Sequence, residues 1–195
     1  MRVVLATANP DKARELVAIL TAADVEVALR PEGLAEVDET GATLEENAEL
    51  KAAAVAAVTG LAAVGDDTGL FVDALDGAPG VYSARYAGAH ATYADNVAKL
   101  LDALASVAPP RRARFETAAV LVTPDGRRVV TVGTMHGEIT TAPRGDNGFG
   151  YDPVFVPDGT AGRTLAELGD EEKHAISHRG RAFRAMADAL HRGAG

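Results

Sequence analysis

Hydrophobic and polar positions along this chain switch repeatedly between a period near two and a period near 3.6. Arg2-Val3-Val4-Leu5-Ala6 is an apolar run of strand length, and Val25-Glu26-Val27-Ala28-Leu29 alternates as a second strand does. Between them Leu16, Ile19 and Leu20 fall at helical spacing, behind Asn9 as a cap and Pro10 at the first helical position. Residues 31–40 are polar and acidic and read as a loop. Thr43 and Glu46 form a capping-box pair that opens a helix stopping at Gly60. Residues 61–64 and 70–75 read as two strands, residues 77–80 as a loop, and residues 93–107 as a helix ended by Pro109-Pro110. Two longer strands over 113–123 and 127–136 flank Pro124-Asp125-Gly126, a hairpin signal. A glycine-rich loop over 145–152 precedes a strand at 154–156, and helices are expected over 165–173 and from Ser177 to about His191. Strand–helix units followed by a hairpin predict an α/β fold, a mixed sheet with helices around it.

Composition narrows what such a fold can do. At 195 residues, 47% hydrophobic and 24% charged, the chain suits one soluble domain with a sizeable core. A net charge of −9 argues against broad binding to nucleic acid or an anionic membrane, and no apolar run reaches spanning length. With no cysteine, disulfides, thiolate metal sites and thiol catalysis are excluded, and His90, His136, His174 and His191 show no zinc-ligand spacing. No leader-like segment stands at residues 2–6, so a cytoplasmic location is expected. Lysine occurs only as Lys12, Lys51, Lys99 and Lys173, which makes each one worth a question.

Four stretches carry candidate chemistry. In Gly65-Asp66-Asp67-Thr68-Gly69, two carboxylates follow an apolar run between glycines, either as a solvated turn or as charge placed for a cation or a reaction. With Glu39 they supply carboxylates from two loops, the sparing set that Mg²⁺ prefers, and a remaining carboxylate can take a proton from water. Thr7-Ala8-Asn9-Pro10-Asp11-Lys12 joins a strand to a helix N-terminus, which favours an anion, and Lys12 adds a point charge; the spacing is not that of a Walker loop. Gly148-Phe149-Gly150-Tyr151-Asp152 sets aromatic rings among glycines, suiting a planar ligand stacked on Phe149 with Asp152 accepting from it, or a buried turn. Near the C-terminus, Lys173 is followed by Ser177-His178-Arg179-Gly180, in which His178 and Arg179 project near a helix start, where a bound anion or base offsets an unfavourable dipole, or where the segment is a solvated basic turn.

Taken in order, these segments resemble the inosine triphosphate pyrophosphatase (Ham1-like) family. The matching residues are Thr7-Ala8-Asn9 with Lys12, Glu39-Thr40-Gly41 with Glu46-Asn47-Ala48, and Asp66-Asp67-Thr68-Gly69-Leu70. They continue with residues 77–86, Gly148-Phe149-Gly150-Tyr151-Asp152-Pro153, and Glu172-Lys173 with Ile176-Ser177-His178-Arg179-Gly180. The likeness runs from Val3 to about Leu190. It implies one domain over residues 1–195, an elongated two-lobed mixed sheet flanked by helices with a substrate cleft between lobes, and a homodimer.

The implied activity is Mg²⁺-dependent hydrolysis of ITP, dITP and XTP to a nucleoside monophosphate and pyrophosphate. By position, Asp67 is implied as catalytic base and metal ligand and Glu39 as the other ligand. Thr7, Ala8, Asn9, Pro10, Asp11 and Lys12 would hold the triphosphate with Thr68. Phe149, Gly150, Tyr151 and Asp152, with Lys173, His178 and Arg179, would take the base. Ala8 stands where many members have glycine. Two other readings stay open: a purine nucleotide sensor that has lost chemistry, and a related hydrolase of modified pyrimidine nucleotides.

Overall fold

The structure is a computed structural model that describes residues 2–192; Met1 and residues 193–195, the ends of the expected domain, lie outside the described residues. Among the described residues are seven strands and five α-helices, with β4 inside the expected loop at 77–80: β1 (Arg2–Leu5), α1 (Pro10–Ala22), β2 (Glu26–Ala28), α2 (Leu44–Thr59), β3 (Ala63–Val72), β4 (Pro79–Gly80), α3 (Tyr93–Ala103), β5 (Arg112–Val122), β6 (Arg128–Ile139), β7 (Phe155–Pro157), α4 (Asp170–Ile176) and α5 (His178–Arg192). Hydrogen bonding orders the strands β2-β1-β3-β5-β6-β7, with β4 on β3. The pairs β1–β2 and β1–β3 are parallel, whereas β3–β4 and β6–β7 are antiparallel, so the sheet is mixed.

The chain divides into two compact units, each assembled from separated segments. Unit 1 comprises Met1–Asp67, Thr117–Gly133 and His178–Gly195; unit 2 comprises Thr68–Glu116 and Thr134–Ser177. Strands β3, β5 and β6 each contribute residues to both, so neither unit is a stretch that could be cut from the sequence as a domain. Unit 1 has its core where Leu16, Ile19 and Leu20 of α1 and Phe183, Met186 and Leu190 of α5 meet Val3, Leu5 and Val64 of the strands. A smaller cluster sets Val55 and Ala56 of α2 against Val4, Ala6 and Ala63. Unit 2 closes Val97 and Leu100 of α3 over Leu70, Phe115, Met135, Phe155 and Leu165.

Local rules explain the elements that hold the candidate site. The side chain of Asn9 accepts from Asp11 N at 2.9 Å and Lys12 N at 3.2 Å, capping α1 behind Pro10. Thr43 and Glu46 cap α2 reciprocally, and Gly60 ends it in the left-handed conformation at φ 65°.

Several expectations change. The acidic pair does not separate two strands: β3 runs unbroken through it. Gly65 and Gly69 act there by close approach, not by turning. A Cβ on Gly65 would lie 2.2 Å from Ala48 O of α2, and one on Gly69 2.8 Å from Gly80 O of β4. The helix expected over 165–173 is a 3-10 turn at Leu165–Glu167 followed by α4, since Thr164 and Glu167 close one capping box and Gly169 starts another turn. Ser177, expected as a helix cap, ends α4 in an extended conformation and stands directly before His178, the first residue of α5.

Candidate active site

In unit 1 three carboxylates gather around two ammonium groups. Asp66 and Asp67 are neighbours on β3, both buried. Lys12, from the first turn of α1, places Nζ 3.1 Å from Asp66 Oδ2. Lys51 of α2 places Nζ 2.7 Å from Glu39 Oε1 and 3.5 Å from Asp67 Oδ1. Asn47, one helical turn before Lys51, is fully buried and joins the two acid-bearing segments. Its Nδ2 donates to Asp67 Oδ2 at 3.2 Å, and its Oδ1 accepts from Gly41 N at 2.8 Å. Gly41 is required at that point, since a Cβ would sit 2.7 Å from Asn47 Oδ1.

The two adjacent aspartates titrate in opposite directions because their surroundings differ. Burial alone would raise Asp66, but the cations of Lys12, Arg179 and Lys51 outweigh it and hold the carboxyl down at about 2. For Asp67 burial is the larger effect, and repulsion from Glu39 and Asp66 adds to it. Together they outweigh Lys51 and Lys12, and its pKa is raised. Lys51 is raised as well: burial opposes its charge, but Asp67, Asp66 and Glu39 more than compensate. Of the pair, Asp66 is the fixed anion and Asp67 the group suited to receiving a proton.

The start of α5 completes this cluster. Arg179, 3% exposed, pairs through Nη1 with Glu15 Oε2 of α1 and places Nε 3.6 Å from Asp66 Oδ2. His178 Nδ1 lies 2.6 Å from Thr117 Oγ1 of β5, with both side chains buried. Arg179 at this helix start is therefore packed into unit 1 and matched by acids, which offsets the dipole cost foreseen for a cation there. A Cβ on Gly133 of β6 would lie 2.0 Å from His178 O, so the glycine lets α5 approach that strand. In the strand-to-helix loop, Asn9 N donates to Thr7 Oγ1 at 3.2 Å, and the N–H groups of Asp11 and Lys12 already serve the Asn9 cap. What this loop offers an anion is therefore chiefly the helix dipole and the Lys12 ammonium. Ala8 and Pro10 are exposed there.

In unit 2 the aromatic loop is built around a buried ion pair. Lys173 Nζ of α4 lies 2.7 Å from Asp152 Oδ2, with both side chains nearly buried. The same oxygen accepts from Phe149 N at 2.8 Å. Lys173 Nζ is 5.0 Å from the centroid of the Phe149 ring, and Tyr93 of α3 packs against that ring at 5.9 Å with a tilt of 38°. Gly148 has φ +80°, and a Cβ would stand 2.1 Å from Asp152 Oδ2; Gly150 is left-handed too, at φ +64°. The loop therefore presents a half-buried ring, and Asp152 orders that loop and Lys173. Tyr151 is core, its hydroxyl donating to Ser83 O at 2.9 Å. Thr68, half-buried, follows Asp67 directly on β3.

Lys51 and Glu15 join this cluster without having been placed by motif reading, and Asn47 stood in the quoted motif without a role. The scarcity of lysine and the one-turn spacing of Asn47 and Lys51 on a capped helix were the available signals. Among the described residues no group of three or more His, Cys, Asp and Glu side chains forms a metal cage. Glu39 and Asp67, all-oxygen donors from two segments, nonetheless match the one or two carboxylates through which Mg²⁺ is usually held beside water and phosphate.

Residues 3–189 match the Ham1 family. The dITP/XTP pyrophosphatase of Streptomyces coelicolor is 49% identical over 194 residues, covering 97% of this chain and 96% of that protein. Among solved structures, the HAM1 protein of Coxiella burnetii superposes with a TM-score of 0.89 at 40% identity, over 98% of this chain and 99% of that one. A nucleoside-triphosphatase / dITP/XTP pyrophosphatase from Mycobacterium abscessus gives a TM-score of 0.75 at 48% identity, over 95% and 97% of the two chains. With its mixed sheet, its acidic strand and its glycine-framed aromatic loop, this chain belongs to the Ham1 family.

Proposed function

We propose that the protein hydrolyses deaminated purine nucleoside triphosphates (ITP, dITP and XTP) to the monophosphate and pyrophosphate. The observation that carries this reading is the convergence of Glu39, Asp67 and Lys51 beside the Lys12–Asp66 pair in unit 1. Its relatives named dITP/XTP pyrophosphatase support the substrate class.

Asp67 is the general base. Its pKa, raised chiefly by burial, makes it the better proton acceptor of the pair, taking a proton from water while the water oxygen attacks the α-phosphorus. The bond from the α-phosphorus to its bridging oxygen breaks, and pyrophosphate leaves with the electron pair. Lys12, at the positive end of α1, and Thr7 to Asp11 hold the phosphate chain, with Thr68 beside the base. Asn47 fixes the Asp67 carboxylate, and Asp66 orders Lys12 and Arg179. Glu39 and Asp67 are the residues that would hold Mg²⁺, which when bound neutralises phosphate charge.

Phe149 supplies the stacking surface for the purine. The Lys173 ammonium, held by Asp152, donates to the 6-oxo group. Adenine turns an amino group toward such a donor, and each unpaired buried donor costs about 1–3 kcal/mol. A cytoplasmic homodimer is the expected working form, and among the described residues no helix is long and apolar enough to cross a membrane.

Product analysis on a panel of triphosphates, with and without Mg²⁺, tests the reading. Pyrophosphate from ITP, dITP and XTP, with ATP and GTP spared, is expected. Orthophosphate as first product, or tight ITP binding without turnover, overturns it.

A further inference from the structure

Lys51 stands between the two carboxylates assigned to the metal. Its Nζ contacts Glu39 Oε1 at 2.7 Å and Asp67 Oδ1 at 3.5 Å, with the side chain 13% exposed. Asn47 engages the other oxygen of Asp67, and Lys12 is committed to Asp66 at 3.1 Å. Each acid of the cluster thus has a protein cation or amide on it. A divalent ion on Glu39 and Asp67 and an ammonium at these distances are two cations on one pair of acids, and they repel in a partly desolvated place.

We propose that Lys51 is a resident counter-ion that suppresses metal binding until a polyanion arrives. Its ammonium neutralises Glu39 and Asp67 and keeps the two acids from repelling each other. It gives them up when an anionic ligand offers it replacement oxygens, so metal and polyanion bind cooperatively and either one alone binds weakly. Lys51 is here a positioning residue that acts through the two acids. The inference rests on the assignment of Glu39 and Asp67 as metal ligands.

Mn²⁺ titration of the full chain without nucleotide, followed by electron paramagnetic resonance, tests it. Lys51→Gln and Lys51→Met should bind Mn²⁺ at least about tenfold more tightly than the unaltered protein, whereas Lys51→Arg, which keeps the charge, should not. Equal or weaker affinity in both neutral variants overturns the inference. Should neither variant fold, the ammonium resonances of the unaltered protein decide. The chain has only four lysines, and the signal missing from Lys51→Arg identifies Lys51. That signal should move when Mg²⁺ saturates the protein, and an unmoved signal overturns the inference. Glu39→Gln and Asp67→Asn separate the two levels. If they leave Mn²⁺ affinity intact, the metal assignment itself is wrong. If they abolish it while Lys51→Gln gains nothing, only the role of Lys51 falls.

Discussion

Asp66 and Asp67 share a strand, a charge and a depth of burial, yet one is pinned as an anion and the other pushed toward protonation. The difference lies in which cations reach them: Lys12 at 3.1 Å and Arg179 at 3.6 Å lie on Asp66, whereas Asp67 has Lys51 at 3.5 Å and the Asn47 amide. Asp67→Asn should therefore cut pyrophosphate release by about a hundredfold to ten-thousandfold, the usual worth of a general base. Circular dichroism should stay unchanged, and a variant within tenfold of normal turnover would remove Asp67 from that role. Asp66 makes a different prediction, about stability. Its pKa is depressed from 3.8 to about 2, so the folded state binds the proton less readily than the unfolded one. That stability is fully present above about pH 4 and is lost as pH falls toward 2, on the order of 2 kcal/mol in all. In metal-free denaturant titrations, Asp66→Asn should be less stable at neutral pH and should show a shallower decline between pH 4 and pH 2. An identical slope would mean that Asp66 is not the group being titrated.

At the scale of elements, the acidic pair shows where sequence reading succeeds and where it stops. Caps and turns are local chemistry, so Asn9-Pro10, Thr43 with Glu46, Gly60 and the turn after Val122 were all legible. Gly65 was not, because its reason is the backbone of α2, far off in sequence. What reads as a break is a place where helix and strand nearly touch, and β3 continues through it. The same limit applies to the site. Asp67, Glu39 and Lys12 stood out by type and position, whereas the Lys51 contact with Glu39 and the Glu15–Arg179 pair depend on folding. Two substitutions separate local from tertiary causes. Thr43→Ala removes one cap and should cost about 1 kcal/mol. Gly65→Ala forces a methyl against Ala48 O and should cost about 3 kcal/mol or more, along with activity, since α2 carries Asn47 and Lys51. Thermal unfolding of the two variants side by side checks the order, and a Gly65→Ala protein no less stable than Thr43→Ala would show that the contact can relax.

For the whole molecule, the notable division is chemical. Unit 1 carries the acids and the ammonium groups suited to phosphate and metal, and unit 2 carries the aromatic ring and the lysine suited to a planar base. The two contributions can be read separately. Phe149→Ala should raise the KM for dITP by roughly tenfold to a hundredfold, the worth of one base stacked on an aromatic ring. Inhibition by tripolyphosphate, which has no base, should be unaffected by the same change. Lys12→Ala should weaken both, because phosphate is common to the two ligands and because Asp66 loses its nearest cation. Discrimination against ATP should fall in Lys173→Met, whose side chain keeps the packing on Phe149 but has no donor for a 6-oxo group. If Phe149→Ala weakened tripolyphosphate as much as dITP, the ring would be supporting the phosphate groups indirectly. The assignment of base to one unit and phosphate to the other would then be wrong.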